Sequence, residues 1–166
     1  LELLLPVLDI FQSNIKLTLI GHANQSFARE WLVKREYVEV IQPLPQELLH
    51  QKLSEFDVGL ALELTSADLN KDLALSNKIF AYKQAGLYIL ATETKAQYAF
   101  MEEHKNSGYT IQQNPESVHK GLEFIFNNIE EIRNNKICRF EQAKNIAFEQ
   151  EAERLVGLWR LAADEL

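Results

Sequence analysis

The 166-residue sequence predicts an α/β fold: a Rossmann-like, doubly wound parallel sheet with helices on both faces, in a single domain (1–166) ending in a long C-terminal helix. Three observations predict it. Short β-rich runs alternate five times with helix-spaced segments, which implies βαβ units joined by right-handed crossovers. Residues 57–62 are nearly all apolar, as a strand covered on both faces must be. No internal repeat, low-complexity tract or Gly/Ser linker divides the chain.

In chain order, residues 2–11 set Leu4, Leu5, Leu8 and Phe11 at helical spacing. Residues 16–20 form a β-rich run closed by Gly21. Residues 26–34 read as a helix with Phe27, Trp31 and Leu32 on one face. The next strand, 37–41, is stopped by Pro43 and Pro45, which lack the N–H that a continuing ladder needs. Pro45 also suits the first turn of a helix through Leu48, Leu49 and Leu53. After the strand 57–62, residues 63–75 are polar and irregular and receive no assignment. Ser76 is a good N-cap for a helix over 77–85, and Gly86 fits its C′ end. Residues 87–91 make the fourth strand, about 96–105 a helix, and Gly108 leads to the short strand 109–111. Pro115 opens a helix carrying Val118, Leu122, Ile125, Phe126 and Ile129. From Ile137 one longer helix is expected, with Phe140, Ala143, Ala147, Ala152, Leu155, Val156 and Trp159 at three- and four-residue steps.

Composition narrows the function classes. Hydrophobic residues at 46% and charged residues at 25% argue for a packed domain and against disorder. No apolar run reaches the ~18 residues of a transmembrane helix. The opening residues lack the basic flank and small-residue cleavage site of a signal peptide. The chain starts at Leu1 and its one methionine is Met101, so an excised domain or a processed product is expected. A net charge of −7 turns the reading away from nucleic acid and anionic membranes. A diphosphate remains possible at a helix N-terminus or beside one well-placed cation. Cys138 is alone, which suits a reducing, cytoplasmic location; it reads as a small core or helix residue rather than a nucleophile.

Several chemistries are missing. There is no G-x-S-x-G elbow, Walker A loop or G-x-G-x-x-G fingerprint, and the six glycines are isolated. The four histidines are scattered without zinc-ligand spacing, and no Asp-x-Asp pair offers a metal platform. No metal or cofactor is expected.

The segment Asp57-Val58-Gly59-Leu60-Ala61-Leu62, followed by Ser76-Asn77-Lys78-Ile79-Phe80-Ala81-Tyr82-Lys83-Gln84-Ala85-Gly86, resembles the C-terminal domain of group 1 GT-B glycosyltransferases. Weaker similarities precede it at 17–21 and 38–49, and the tail with Phe148, Glu149, Leu155 and Trp159 is similar to the family's last helix. The resemblance implies the donor-binding half of an enzyme that moves a sugar from a nucleoside diphosphate sugar to an acceptor, in polysaccharide biosynthesis or a related pathway. It implies a diphosphate held by Gly21, His22, Ser76, Asn77 and Lys78, and a nucleobase laid on the turn at Gln42 and Leu44. Phe80 and Tyr82 are read as core residues. The N-terminal acceptor domain would lie outside this chain, as would the family's first strand with its basic groups, so the fragment alone should be inactive. Two positions differ from the family pattern. Ala81 stands where a ribose-binding glutamate is usual and Leu73 where a second glutamate is, which leaves Glu63, Asp68 or Asp72 as substitutes. A non-catalytic binding or scaffold module, or an unrelated small-molecule-binding domain, is the alternative. On residues alone, Ser76 is an ordinary N-cap, Lys78 a solvated charge and His22 a turn residue.

Overall fold

The computed structural model describes residues 1–65 and 69–164, and in the last helix the side chains of 152–163. Asp68 and the side chains of Phe148 and Glu149 therefore lie outside the described residues. The chain opens with α1 (Leu5–Leu8), which tightens into a 3₁₀ turn, Asp9–Phe11. Strand β1 (Leu17–Ile20) follows, then α2 (Gln25–Phe27), capped by the Asn24 side chain and continuing as a π-helical turn through Ala28–Leu32. Next come β2 (Val38–Ile41), α3 (Gln46–Leu53) and β3 (Val58–Ala61). The stretch left unassigned by its sequence contains α4 (Leu69–Leu73). Then α5 (Asn77–Gln84), β4 (Tyr88–Thr92), α6 (Lys95–Glu103), β5 (Gly108–Ile111) and α7 (Pro115–Asn127) complete the alternation.

Every ladder among the described residues is parallel: β1 with β2, β3 with β4, and β4 with β5. Helices flank the strands, so the fold is the expected α/β class. The alternation along β4 shows how two helical layers are served. Leu90 packs into the cluster made with α1, α7 and Tyr37, whereas Ile89 and Ala91 point to Ile79, Phe100 and Met101 of α5 and α6. Gly59 positions α5: a Cβ there would lie 2.4 Å from Tyr82 Cγ, so only glycine lets that ring rest on β3. The left-handed Gly86 (φ 69°) ends the same helix, with its N–H donating to Lys83 O at 2.9 Å.

Two features differ from the expectation. The strands form two sheets, β2-β1 and β3-β4-β5, instead of one. The tail is also broken into α8 (Ile129–Asn134), α9 (Lys136–Ala143), a 3₁₀ turn (Lys144–Ile146) and α10 (Phe148–Asp164). Ala147 is extended (φ −69°, ψ 150°), which interrupts the i→i−4 ladder. The inward face of α9 is carried by Lys136, Arg139 and Ala143, while Ile137 and Phe140 are exposed. Cys138 is an exposed helix residue, not a core one. Among the described residues no helix is long and apolar enough to cross a membrane.

Candidate functional site

The carboxyl ends of parallel strands gather loops and helix starts, which is where α/β sheets bind ligands. Here β1 ends on Gly21, whose φ of 141° is open to glycine and not to other residues; its N–H donates to Ile41 O at 2.9 Å. The turn then exposes His22 and reaches Asn24 at the start of α2. At the end of β3 the chain passes through Glu63 and α4 to Ser76, the N-cap of α5, whose Oγ accepts from Lys78 N–H at 3.4 Å. Cap formation follows from a short hydroxyl side chain in extended conformation (ψ 141°) before the helical run.

These two segments face each other. A cleft of about 1270 Å³ is lined by Gly21, His22, Asn77 and Lys78, and Ala81 lies one turn deeper on α5. Ser76 stands at its rim as the cap, without lining it. Gln42 and Leu44 do not line it: they follow β2, one ladder further out than β1. Phe80 and Tyr82 are half-buried against the α5–α6 core, as their helical spacing suggests, and Tyr82 also borders the cleft.

Electrostatics at the α5 end centre on Glu63, which the sequence marked only as one of three loop acids. Its carboxylate side chain is 8% exposed and ion-pairs with Lys78 Nζ at 3.0 Å and Lys71 Nζ at 3.1 Å. Burial works to raise its pKa, but the two lysines outweigh burial and hold it below the usual carboxylate range. Its main chain is fixed by Thr92, whose Oγ1 accepts from Glu63 N–H at 2.8 Å and donates to Glu63 O at 2.7 Å. Lys78 thus meets the cleft already paired, and the Glu63–Lys71–Lys78 cluster keeps one net positive charge. Asp72 is used elsewhere: it pairs with Lys95 Nζ at 3.2 Å and accepts Lys95 N–H at 3.0 Å, anchoring the start of α6. Leu73 is exposed on α4. Among the described residues no group of three or more His, Cys, Asp or Glu side chains could hold a metal ion.

The arrangement offers an anion the positive end of the α5 dipole and the ammonium of Lys78; of the first-turn N–H groups, those of Lys78 and Ile79 already donate to Ser76. His22 supplies an imidazole from the opposite wall. No acidic side chain stands at Ala81; the carboxylate at this end of α5 is that of Glu63, held by Lys78 and Lys71. No family model matches the chain, and no curated protein matches it.

Proposed function

We propose that the chain is the nucleotide-sugar-binding half of a GT-B-type glycosyltransferase, the acceptor domain and remaining catalytic groups lying outside it. One observation carries this reading: the Gly21–His22 turn and the first turn of α5 line one cleft at the carboxyl ends of the strands. The diphosphate of a donor sugar would lie across the α5 N-terminus against Lys78, with His22 opposite. Catalysis in such a site is electrostatic, since the leaving diphosphate gathers charge as the bond from the anomeric carbon to the phosphate oxygen breaks and the new bond to the acceptor forms, and fixed dipoles stabilise that charge. The likeness of residues 57–86 to that family supports the same placement.

A titration with uridine and guanosine diphosphates, followed by amide chemical shifts, tests the reading. The largest changes are expected at residues 76–79 and at Gly21 and His22. Lys78→Ala should weaken binding about tenfold, the equivalent of one charge-assisted hydrogen bond. Glu63→Gln should tighten it severalfold, because Lys78 is then no longer neutralised. Ala81→Glu should raise affinity on the order of tenfold by offering a carboxylate to both ribose hydroxyls. No shift at millimolar ligand would overturn the proposal. A non-catalytic module is the second reading, favoured by the Glu63–Lys78 pair and by the missing carboxylate at Ala81. It predicts no amide shifts at millimolar ligand, whereas unchanged affinity in a folded Ala81→Glu chain would withdraw the assignment of a ribose pocket at Ala81.

A further inference from the structure

A second pocket lies where β4 and β5 begin and shares no lining residue with the larger cleft. The last turn of α5 reaches it with Lys83, the end of α6 with His104, and the turn into β5 with Ser107. Asn145 borders it from the 3₁₀ turn after α9. Its volume of about 440 Å³ falls within the ~300–1,000 Å³ of a usual small-ligand pocket.

Lys83 sets the chemistry. It is 5% exposed, and its Nζ donates to Ser107 Oγ at 2.9 Å. No carboxylate among the described residues stands within ion-pair distance of that ammonium, although a buried lysine is ordinarily matched by one. Nor does Lys83 cap its own helix: Ala81 O, Tyr82 O and Lys83 O accept from the N–H groups of Ala85, Leu87 and Gly86.

The residues around it are held in place. Ser107 is buried, its N–H donating to His104 O at 3.1 Å and its C=O accepting from Ile89 N–H at 2.9 Å. The left-handed Asn106 (φ 71°) makes the turn that brings it there. Having accepted from Lys83, the Ser107 hydroxyl keeps its own hydrogen to give, and Nζ keeps two. The half-buried His104 ring stands edge-on to Phe100, with centres 4.4 Å apart. Burial and then the charge of Lys83 lower the His104 pKa, an effect that Glu103 offsets only in part, and burial lowers that of Lys83. Glu102, Glu103 and Lys105 border the pocket from exposed positions. Two basic groups thus crowd each other in a pocket whose interior donors converge without an acid to receive them.

We propose that this pocket binds a small oxyanion, a phosphate or carboxylate group, between the Lys83 ammonium, the Ser107 hydroxyl and the His104 imidazole, with the Asn145 amide at its mouth. Such a group offers several acceptor oxygens to donors fixed on three elements. Its charge favours the protonated forms of both basic residues, which burial opposes. The site lies at the far end of α5 from Ser76, so the inference is independent of nucleotide binding.

A chemical-shift titration of the 166-residue chain tests it. Inorganic phosphate, sulfate or acetate replaces chloride at constant ionic strength, which keeps screening fixed. With at least one of them, saturable shifts are expected at Lys83, at residues 104–107 and at Asn145, in the millimolar range. A preference for phosphate and sulfate assigns a tetrahedral group, and a preference for acetate a carboxylate. Residues 76–79 report separately on the nucleotide cleft. Lys83→Met keeps the side-chain length without the charge and should weaken binding about tenfold or more. Ser107→Ala removes one oxygen, should weaken it severalfold, and keeps the test valid if Lys83→Met does not fold. The His104 imidazole should also titrate at higher pH with the tightest of the three anions bound than in chloride. The absence of a saturable shift with all three anions would overturn the proposal. So would shifts spread evenly over the surface lysines, binding that survives both substitutions, or a His104 titration that the bound anion leaves unmoved.

Discussion

Asp9 accepts both arms of the Arg35 guanidinium, at 2.8 and 2.7 Å, and the Tyr37 hydroxyl at 2.6 Å. This cluster ties the first helical turns to the residue just before β2, and Tyr37 also reaches Leu5 O at 3.3 Å. The hydrogen bond from Arg35 lowers the Asp9 pKa against the opposing effect of burial, with Tyr37 reinforcing the shift. Burial first, and then Asp9, pushes the Tyr37 phenol up to about 12. A carboxylate made more acidic by folding adds stability at every pH above its unfolded value, near ~3.9. That contribution is lost as pH falls through the lower folded value. Tyr37 behaves oppositely: its share is present below about 10 and disappears as pH climbs toward the folded value. Asp9→Asn should therefore destabilise the chain modestly at neutral pH, since the Asp9 side chain is 40% exposed and partly screened, with the gap from the parent chain closing as pH falls below ~3.9. Urea unfolding of both chains across that range checks it, and a gap independent of pH would mean that the carboxylate charge is not the source.

The elements differ in how plainly their sequences announce them, and α9 is the instructive case. Arg139 is 6% exposed, donates to Gly86 O at 3.0 Å and Ile132 O at 2.7 Å, and its guanidinium lies 5.6 Å from the centre of the Tyr88 ring. It pins α9 to the turn before β4 without a carboxylate. Arg139→Met keeps length and apolar contact but strands two carbonyls, so a loss of about 2–3 kcal/mol is expected, read as a lower urea midpoint at unchanged slope. Arg139→Lys should recover little, because a single ammonium cannot span both acceptors as the fork does. The strands were legible because apolar, β-branched runs stop at Gly21 and Pro43 or start just after Gly86, and such punctuation is local. The inward face of α9 was not, since Lys136 and Arg139 make the contacts that a hydrophobic period would have signalled. The same division holds at the site. The Gly21 turn and the Ser76 cap are local signals, and Gly21, His22, Asn77 and Lys78 do line one cleft. The exclusion of Gln42 and Leu44, the split of the sheet and the commitment of Lys78 to Glu63 all depend on which strands are neighbours. Pairing between distant segments leaves no mark in residue spacing.

At the scale of the whole molecule, the chain divides into a packed α/β body and the helix that follows it. α10 displays Leu155, Val156, Leu158, Trp159 and Leu161 as exposed side chains, Trp159 at 65%. Its described contacts are chiefly with the 3₁₀ turn just before it, and none of the described side chains, 152–163, joins the buried clusters. A 17-residue helix is marginal in water when nothing packs on its apolar stripe. A chain ending at Ala147 should consequently unfold within about 3 °C of the full chain, whereas removal of a docked helix would cost several kcal/mol and on the order of 10 °C. The two tryptophans give a second reading of the same comparison, since Trp159 is exposed and Trp31 is half-buried against Phe27. Truncation should remove the red-shifted part of the emission and leave the buried part unchanged. The shorter chain should also stay monomeric to higher concentration, because the apolar stripe that favours association has gone. A large fall in melting temperature together with a blue-shifted Trp159 in the full chain would instead place α10 against the body, and the division into two parts would be wrong.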